Sequence, residues 1–166
     1  MKFILFFLLL FFYSSLKASD VQINSIIVLE NNIPKECGLN FKVLDKDKII
    51  NTMVSIKKKK GATSTYFYLE SQNKKINYAN ILSSSINLLD LIEKKNKSNN
   101  SFEIENSTNV DKTNVFFQEL LISGGKIEVE EKSYEIIGPI DSKVRLEYLF
   151  CTGEMFLPNY EANQNE

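Results

Sequence analysis

The chain has 166 residues, of which 43% are apolar, 25% charged and 11% aromatic, a composition typical of one globular domain rather than a disordered chain. Its 20 basic residues are balanced by 21 acidic ones, which argues against a polybasic nucleic-acid binder. It contains no histidine. This excludes Ser-His-Asp and Cys-His nucleophile arrangements and histidine-ligated zinc or haem, and removes the usual general base near neutral pH.

The N-terminus has the layout of a secretory signal peptide. Lys2 precedes an unbroken apolar run over residues 3–13, which is short for a helix that crosses a membrane. We therefore predict a signal peptide over residues 1–18, cleaved after Ala18 or Ser19, with an uncleaved anchor as the alternative. The rest is predicted to be a single β-rich domain over residues 19–158 and a polar tail over residues 159–166, in a periplasmic or secreted protein.

The two cysteines, Cys37 and Cys151, lie near opposite ends of this predicted domain. In an exported protein an even cysteine count indicates a disulfide, so we predict a bond between them. Two separate buried thiols are the alternative. A metal site built on two cysteines without histidine would need carboxylates to complete it.

Lysine outnumbers arginine 19 to one, and asparagine and isoleucine reach 18 each, which is the bias of an AT-rich genome. Together with the export signal this favours a bacterial periplasm. A eukaryotic secretory pathway is the alternative, in which Asn96, Asn99 and Asn106 would be acceptors for N-glycosylation.

The first half of the domain alternates between apolar and polar residues, which predicts strands. Residues 21–29 are rich in β-branched side chains and end at the turn 30–32. Residues 39–44 alternate in the same way. A hairpin is then predicted, with strands over residues 49–57 and 63–70 and a lysine-rich tip.

The middle of the chain changes from strand to helix periodicity. Apolar residues from Tyr78 to Ile92 share one arc of a helical wheel, but three serines at residues 83–85 interrupt it. We predict a helix over residues 86–95 and leave residues 76–83 open between strand and helix. Residues 96–112 are polar and without periodicity, which predicts a mobile loop that contributes nothing to the core.

The last third is predicted to contain a helix followed by strands. Apolar pairs four residues apart favour a helix over residues 115–123 that ends at Gly124 or Gly125, with a strand as the alternative. Residues 127–130 and 134–137 alternate as strands. Residues 144–151 also alternate, with Val144, Leu146, Tyr148 and Phe150 on one face, and we predict a half-buried strand there. The predicted fold class is α+β, mainly antiparallel β in a sandwich or twisted sheet, with one or two short helices.

A candidate anion-binding tip is formed by Lys57, Lys58, Lys59 and Lys60, followed by the aromatic side chains of residues 66–68. Such a tip could bind anionic head groups. The simpler interpretation is a solvated hairpin end whose lysines prevent edge pairing.

Acidic residues offer a second candidate site. Paired carboxylates hydrolyse glycosides and bind calcium, but two glutamates two residues apart on a strand share an outward face, which is typical of a solubilising surface. The single arginine, Arg145, is a candidate anion anchor, although we expect it to pair with a nearby carboxylate such as Glu147. The other acidic candidates are Glu119, Glu128, Glu130, Glu131 and Glu135.

The sequence lacks a phosphate-binding glycine loop, a nucleophile elbow and a dinucleotide-binding motif. We therefore predict an exported, non-enzymatic binding or accessory protein of the bacterial cell envelope, without a cofactor. Its expected partner is another envelope protein or an anionic surface, and not nucleic acid. The alternatives are a small carboxylate-dependent hydrolase and an oligomeric structural component.

Overall fold

The computed structural model describes residues 21–45, 48–59, 62–71, 76–91, 94–97, 101–106 and 110–156. The predicted signal peptide and the polar tail lie outside these residues. In the part of the chain that is described, no helix is long and apolar enough to cross a membrane.

Antiparallel strands form two sheets, as the predicted fold class requires. The larger sheet has the order β1-β2-β3-β4-β7-β6 and the smaller one the order β5-β8-β9. The elements are β1 (Val21–Glu30), β2 (Ile33–Asp45), β3 (Lys48–Lys59), β4 (Ala62–Ser71), β5 (Ala79–Leu82), a short 3-10 helix (Leu88–Leu91), β6 (Lys94–Lys97), β7 (Ser101–Asn106), α1 (Val110–Ser123), β8 (Gly124–Val129), β9 (Lys132–Ile137) and α2 (Ser142–Phe156).

The alternation in the first half of the chain gives the strands that it predicts. In β2 the side chains of Leu39, Phe41 and Val43 are fully buried, while the residues between them face away from the core. The β1–β2 turn uses Asn31 and Asn32 with positive φ angles of 52° and 63°. A two-residue hairpin turn requires this conformation, which asparagine adopts more readily than most residues.

The helix predicted over residues 86–95 is wrong, since the described residues of this stretch form a 3-10 helix at Leu88–Leu91 and the start of β6 at Lys94. The hydroxyl of Ser83 accepts from the N–H group of Ile86, the N–H of Ser83 donates to the Ile86 carbonyl, and the side chain of Asn87 accepts from the N–H of Leu89. Short polar side chains thus take the backbone groups that a helix would use.

The loop predicted over residues 96–112 is also wrong. Residues 101–106 form β7, which pairs with β4 from Glu70↔Ser101 to Thr65↔Asn106, and β6 pairs with β7 beyond it. The edge of β4 supplies hydrogen-bond partners that a local reading of a polar sequence does not reveal.

The helix predicted over residues 115–123 is confirmed and is longer, since α1 begins at Val110. It ends at Gly124, whose φ angle of +78° is in the left-handed region. A Cβ atom at this position would lie 2.0 Å from the carbonyl oxygen of Ile136, so both the backbone conformation and the available space require glycine.

The strand predicted over residues 144–151 is wrong, because these residues form the helix α2. Its buried side chains are Val144, Tyr148, Cys151 and Met155, whose spacing of four, three and four residues is that of one helix face. The Asp141 carboxylate caps the N-terminus by accepting a 2.9 Å hydrogen bond from the N–H of Lys143.

Both helices share one core with the strands. α2 contacts β1 and β2, whereas α1 contacts β4 and β8. The predicted disulfide between Cys37 and Cys151 is present, with a Cα–Cα distance of 5.8 Å, and it joins β2 to α2 rather than to a strand.

Candidate functional site

Lys57, in the predicted anion-binding tip, is held against the outer face of the larger sheet. Its ammonium nitrogen lies 3.3 Å from the centroid of the Tyr66 ring and 3.6 Å from Oε1 of Glu36. The same carboxylate oxygen accepts a 2.6 Å hydrogen bond from the hydroxyl of Ser55. The charge of Lys57 is therefore already paired within the chain.

Lys58 faces the opposite side of the hairpin and reaches the end of α2. Its ammonium group donates a 2.8 Å hydrogen bond to the carbonyl of Met155 and lies 6.0 Å from the centroid of the Phe156 ring. A carbonyl in the last turn of a helix has no partner within the helix, so this lysine acts as a cap. Lys60 and the side chain of Lys59 lie outside the described residues, and anion binding at the tip stays a prediction.

Glu119, one of the predicted acidic candidates, anchors the loop that follows β5. Its carboxylate accepts hydrogen bonds of 2.6 Å from the hydroxyls of Ser83 and Ser85, and one of 2.9 Å from the N–H of Ser85. These three bonds stabilise the charged form and lower the pKa of Glu119.

The acidic residues near the β8–β9 turn bind the segment that precedes β5. The hydroxyl of Tyr78 donates to Glu128 at 2.9 Å, and Glu130 accepts from the N–H of Asn77. Burial raises the pKa of Tyr78, and the hydrogen bond to Glu128 adds to this shift. Among the described residues, no three His, Cys, Asp or Glu side chains come together as a metal site. These glutamates thus hold segments of the chain together.

A groove between α1 and α2 is the feature that the sequence interpretation missed. It encloses about 350 Å³ and is mainly apolar. Three of its side chains are well exposed, Ile122 at 63%, Leu146 at 53% and Leu149 at 54%. The residues that line it are Gln118, Leu121, Ile122, Ser142, Arg145, Leu146 and Leu149.

Among the described residues, Arg145 is the only charged side chain that lines this groove. Its Nε atom is shielded from solvent and has no hydrogen-bond partner. The expected pairing with Glu147 is wrong, because residues two apart on a helix point in different directions. Glu147 instead accepts from the hydroxyl of Ser25 and lies 3.9 Å from the ammonium group of Lys143.

No protein-family model matches the chain, and no curated protein or solved structure shows significant similarity to it.

The groove combines an apolar lining with a single cation. A buried N–H donor without a partner is unfavourable by about 1–3 kcal/mol, and the positive charge of the Arg145 guanidinium group would attract an anionic group in the groove. Its described lining residues include no carboxylate, cysteine or lysine, so the one hydroxyl among them, that of Ser142, has no neighbouring base from this set. This arrangement is suited to binding. The helical spacing of Val144, Tyr148, Cys151 and Met155 in the sequence could have predicted a helix here. It would also have placed Arg145 on that helix rather than on a strand.

Proposed function

We propose that this protein is an exported, non-enzymatic binding protein of the bacterial cell envelope, which holds an apolar ligand with an anionic head group between α1 and α2. The observation that carries this proposal is the Nε donor of Arg145, which is shielded and unpartnered beside an apolar groove. A carboxylate accepts two parallel hydrogen bonds from a guanidinium group, which makes a long-chain carboxylate the best match.

The size and lining of the groove support a small ligand. Its volume of about 350 Å³ lies within the range of known ligand sites. The exposed aliphatic side chains of Ile122, Leu146 and Leu149 would be covered by an alkyl chain, and burying them is favourable by about 25 cal/mol for each Å² of apolar surface.

An alkyl chain suits this lining better than an extended peptide does. Each peptide unit brings an N–H and a C=O group that must be hydrogen-bonded when buried. In the part of the chain that the structure describes, the groove offers only the side chains of Gln118, Ser142 and Arg145 for that purpose. An alkyl chain carries no such groups between its head and its end.

The acidic residues lend little support to the alternative of a carboxylate-dependent hydrolase. Glu119 is hydrogen-bonded to two serines, Glu128 to Tyr78 and Glu130 to the backbone of Asn77. None of these carboxylates lines the groove. A glycosidase needs two carboxyl groups on either side of one bond.

Export is supported by the signal-peptide pattern of residues 1–18 and is compatible with the Cys37–Cys151 disulfide, since such bonds persist in oxidising compartments. Fractionation of the producing cells, followed by intact-mass measurement, tests this part. We expect the periplasmic or secreted protein to begin at Ser19 or Asp20. A full-length chain in the cytoplasm would contradict it.

Calorimetric titration with dodecanoate and with dodecanol tests the ligand. We expect dodecanoate to bind and dodecanol, which lacks the charge, to bind at least about tenfold more weakly. The variant Arg145→Gln should weaken dodecanoate binding by about ten- to hundredfold, because a hydrogen bond to a charged group is lost.

Lys143→Gln is the matched control, since it removes one positive charge from the exposed side of the same helix. It should leave dodecanoate affinity unchanged. Equal affinities for the two ligands, or equal effects of the two substitutions, would overturn the proposed role of Arg145. Circular dichroism of both variants checks that α2 is intact.

A further inference from the structure

We propose that β1 pairs with β1 of a second copy of this chain, antiparallel, so that the larger sheet continues across a two-fold axis. The inference concerns a surface separate from the groove, and it starts from the position of β1 in the sheet. Among the described strands only β2 pairs with β1, which leaves β1 at the edge of the six-stranded order.

β1 has few of the features that normally protect an edge strand. It is ten residues long, and it contains neither a proline nor any charged residue before Glu30. Natural edge strands avoid association through short length, lysine, proline or bulges. The one irregularity in its pairing with β2 lies between Val28 and Leu29, so the stretch 22–27 remains regular.

Exposed apolar side chains lie on β1 and on the helix beside it. Ile27 is 44% exposed and Leu29 55% exposed, close to the end of the strand. Phe150 of α2 is 69% exposed, the highest value among the large apolar side chains of the described residues. On a helix of 3.6 residues per turn, Phe150 lies about 60° from Glu147, which is hydrogen-bonded to Ser25 of β1. Phe150 therefore projects on the side of α2 that leads toward β1.

A second copy fits this surface better than an unrelated strand does. A two-fold axis that pairs two β1 strands also places the two α2 helices side by side and antiparallel on the same face of the extended sheet. One symmetric contact then satisfies the backbone groups of the edge and covers both Phe150 rings. An added strand alone would leave Phe150 exposed.

The charges on this side of α2 are compatible with self-association. Lys143 lies near the start of the helix and Glu154 near its end, and both fall within about 40° of Glu147 on the wheel. In an antiparallel pair of helices, Lys143 approaches Glu154 of the partner subunit. Opposite charges across the axis favour the antiparallel arrangement of the two helices over a parallel one.

Sedimentation of the purified protein over a range of concentrations tests the proposal. We expect the wild type to form a dimer, and Ile27→Lys and Phe150→Lys each to raise its dissociation constant by at least about tenfold, since each buries a charge at the contact. Val115→Lys is the matched control, because Val115 is 43% exposed on α1, and it should leave the dimer unchanged.

Amide hydrogen exchange distinguishes strand pairing from other contacts. Within residues 22–27, the amides that point away from β2 should exchange slowly in the wild-type dimer and rapidly in Ile27→Lys. A wild type that stays monomeric at the highest concentration would overturn the proposal. So would a dimer that all three variants preserve, or one whose β1 amides exchange as rapidly as in a monomer. Because Phe150→Lys changes an exposed side chain, it keeps the test decisive if Ile27→Lys fails to fold.

Discussion

The ring of Tyr148 in α2 stacks on the ring of Phe117 in α1, with centroids 4.8 Å apart and an angle of 22° between the planes. Both side chains are buried, and the pair joins the two helices that line the groove. Burial raises the pKa of the Tyr148 hydroxyl, because the core cannot solvate a phenolate.

Tyr148 should make the protein sensitive to alkaline pH. Its ordinary pKa is 10.0 and its pKa in the folded chain is higher. Stability is therefore fully present below about pH 10 and falls above it, since the unfolded chain ionises first. In Tyr148→Phe the free energy of unfolding should decline less between about pH 9 and pH 11 than in the wild type. Urea denaturation at each pH measures this. The comparison is Tyr134→Phe, which changes a half-buried tyrosine of β9. If both variants kept the same extra free energy of unfolding at alkaline pH, burial of Tyr148 would not be the cause.

Glu119 should stabilise the protein at neutral pH, and this contribution should be lost in acid. Its pKa is lowered in the folded chain by the hydrogen bonds from Ser83 and Ser85. The contribution is present above its ordinary pKa of 4.5 and is lost as the pH falls through the lower folded value. Glu119→Gln should therefore be less stable than the wild type at neutral pH, and the difference should shrink under acid. The comparison variant is Glu131→Gln, which removes an exposed carboxylate from the β8–β9 turn. If the difference in free energy of unfolding between Glu119→Gln and the wild type stayed constant with pH, it would contradict the lowered pKa of Glu119.

The disulfide between Cys37 and Cys151 should account for a large part of the stability. It closes a loop with a sequence separation of 114 residues, for which the chain-entropy model gives about 5 kcal/mol. We expect the double variant Cys37→Ala, Cys151→Ala to lose about 2–5 kcal/mol in urea denaturation. Reduced wild type provides the control and should unfold at a similar urea concentration. An unchanged midpoint in both would show that the cross-link does not stabilise the fold.

Two glycines should respond in opposite directions to replacement by alanine. Gly124 has a φ angle of +78°, and a Cβ atom there would meet the Ile136 carbonyl, so Gly124→Ala should cost at least about 1–2 kcal/mol. Gly153 lies within α2 and a Cβ atom there would meet nothing within 4 Å. Gly153→Ala should therefore stabilise the chain by about 0.5–1 kcal/mol. Thermal unfolding of the two variants measures both effects, and a loss of stability in Gly153→Ala would contradict the open environment of that residue.

The strands of β2, β3 and β4 could be predicted because their alternation matches their burial. One face carries residues such as Leu39, Val54 and Phe67, and all of these lie in the core. The helix α1 could be predicted as well, since Gly124 marks its end by a local conformational requirement. In each case the deciding interaction lies within a few residues along the chain, or depends only on which face is apolar.

The groove could not be predicted, because it depends on α2 being a helix. The apolar alternation of residues 144–151 fits a strand, and the spacing of Val144, Tyr148 and Cys151 fits a helix. Neither pattern is strong enough in the sequence to exclude the other. Packing decides between them: the helix buries Tyr148 on Phe117 and brings Cys151 to Cys37, while it leaves Phe150 exposed.

The sequence by itself determined the mainly antiparallel β class, the first four strands, the helix before Gly124 and the pairing of the two cysteines. Each depends on side-chain periodicity, on one local backbone conformation or on a cysteine count. The tertiary structure alone decided that α2 is a helix, that β7 adds to the edge of β4, and that Arg145 lines a mainly apolar groove. These depend on contacts between segments far apart in the chain, whose free energy outweighs local preference.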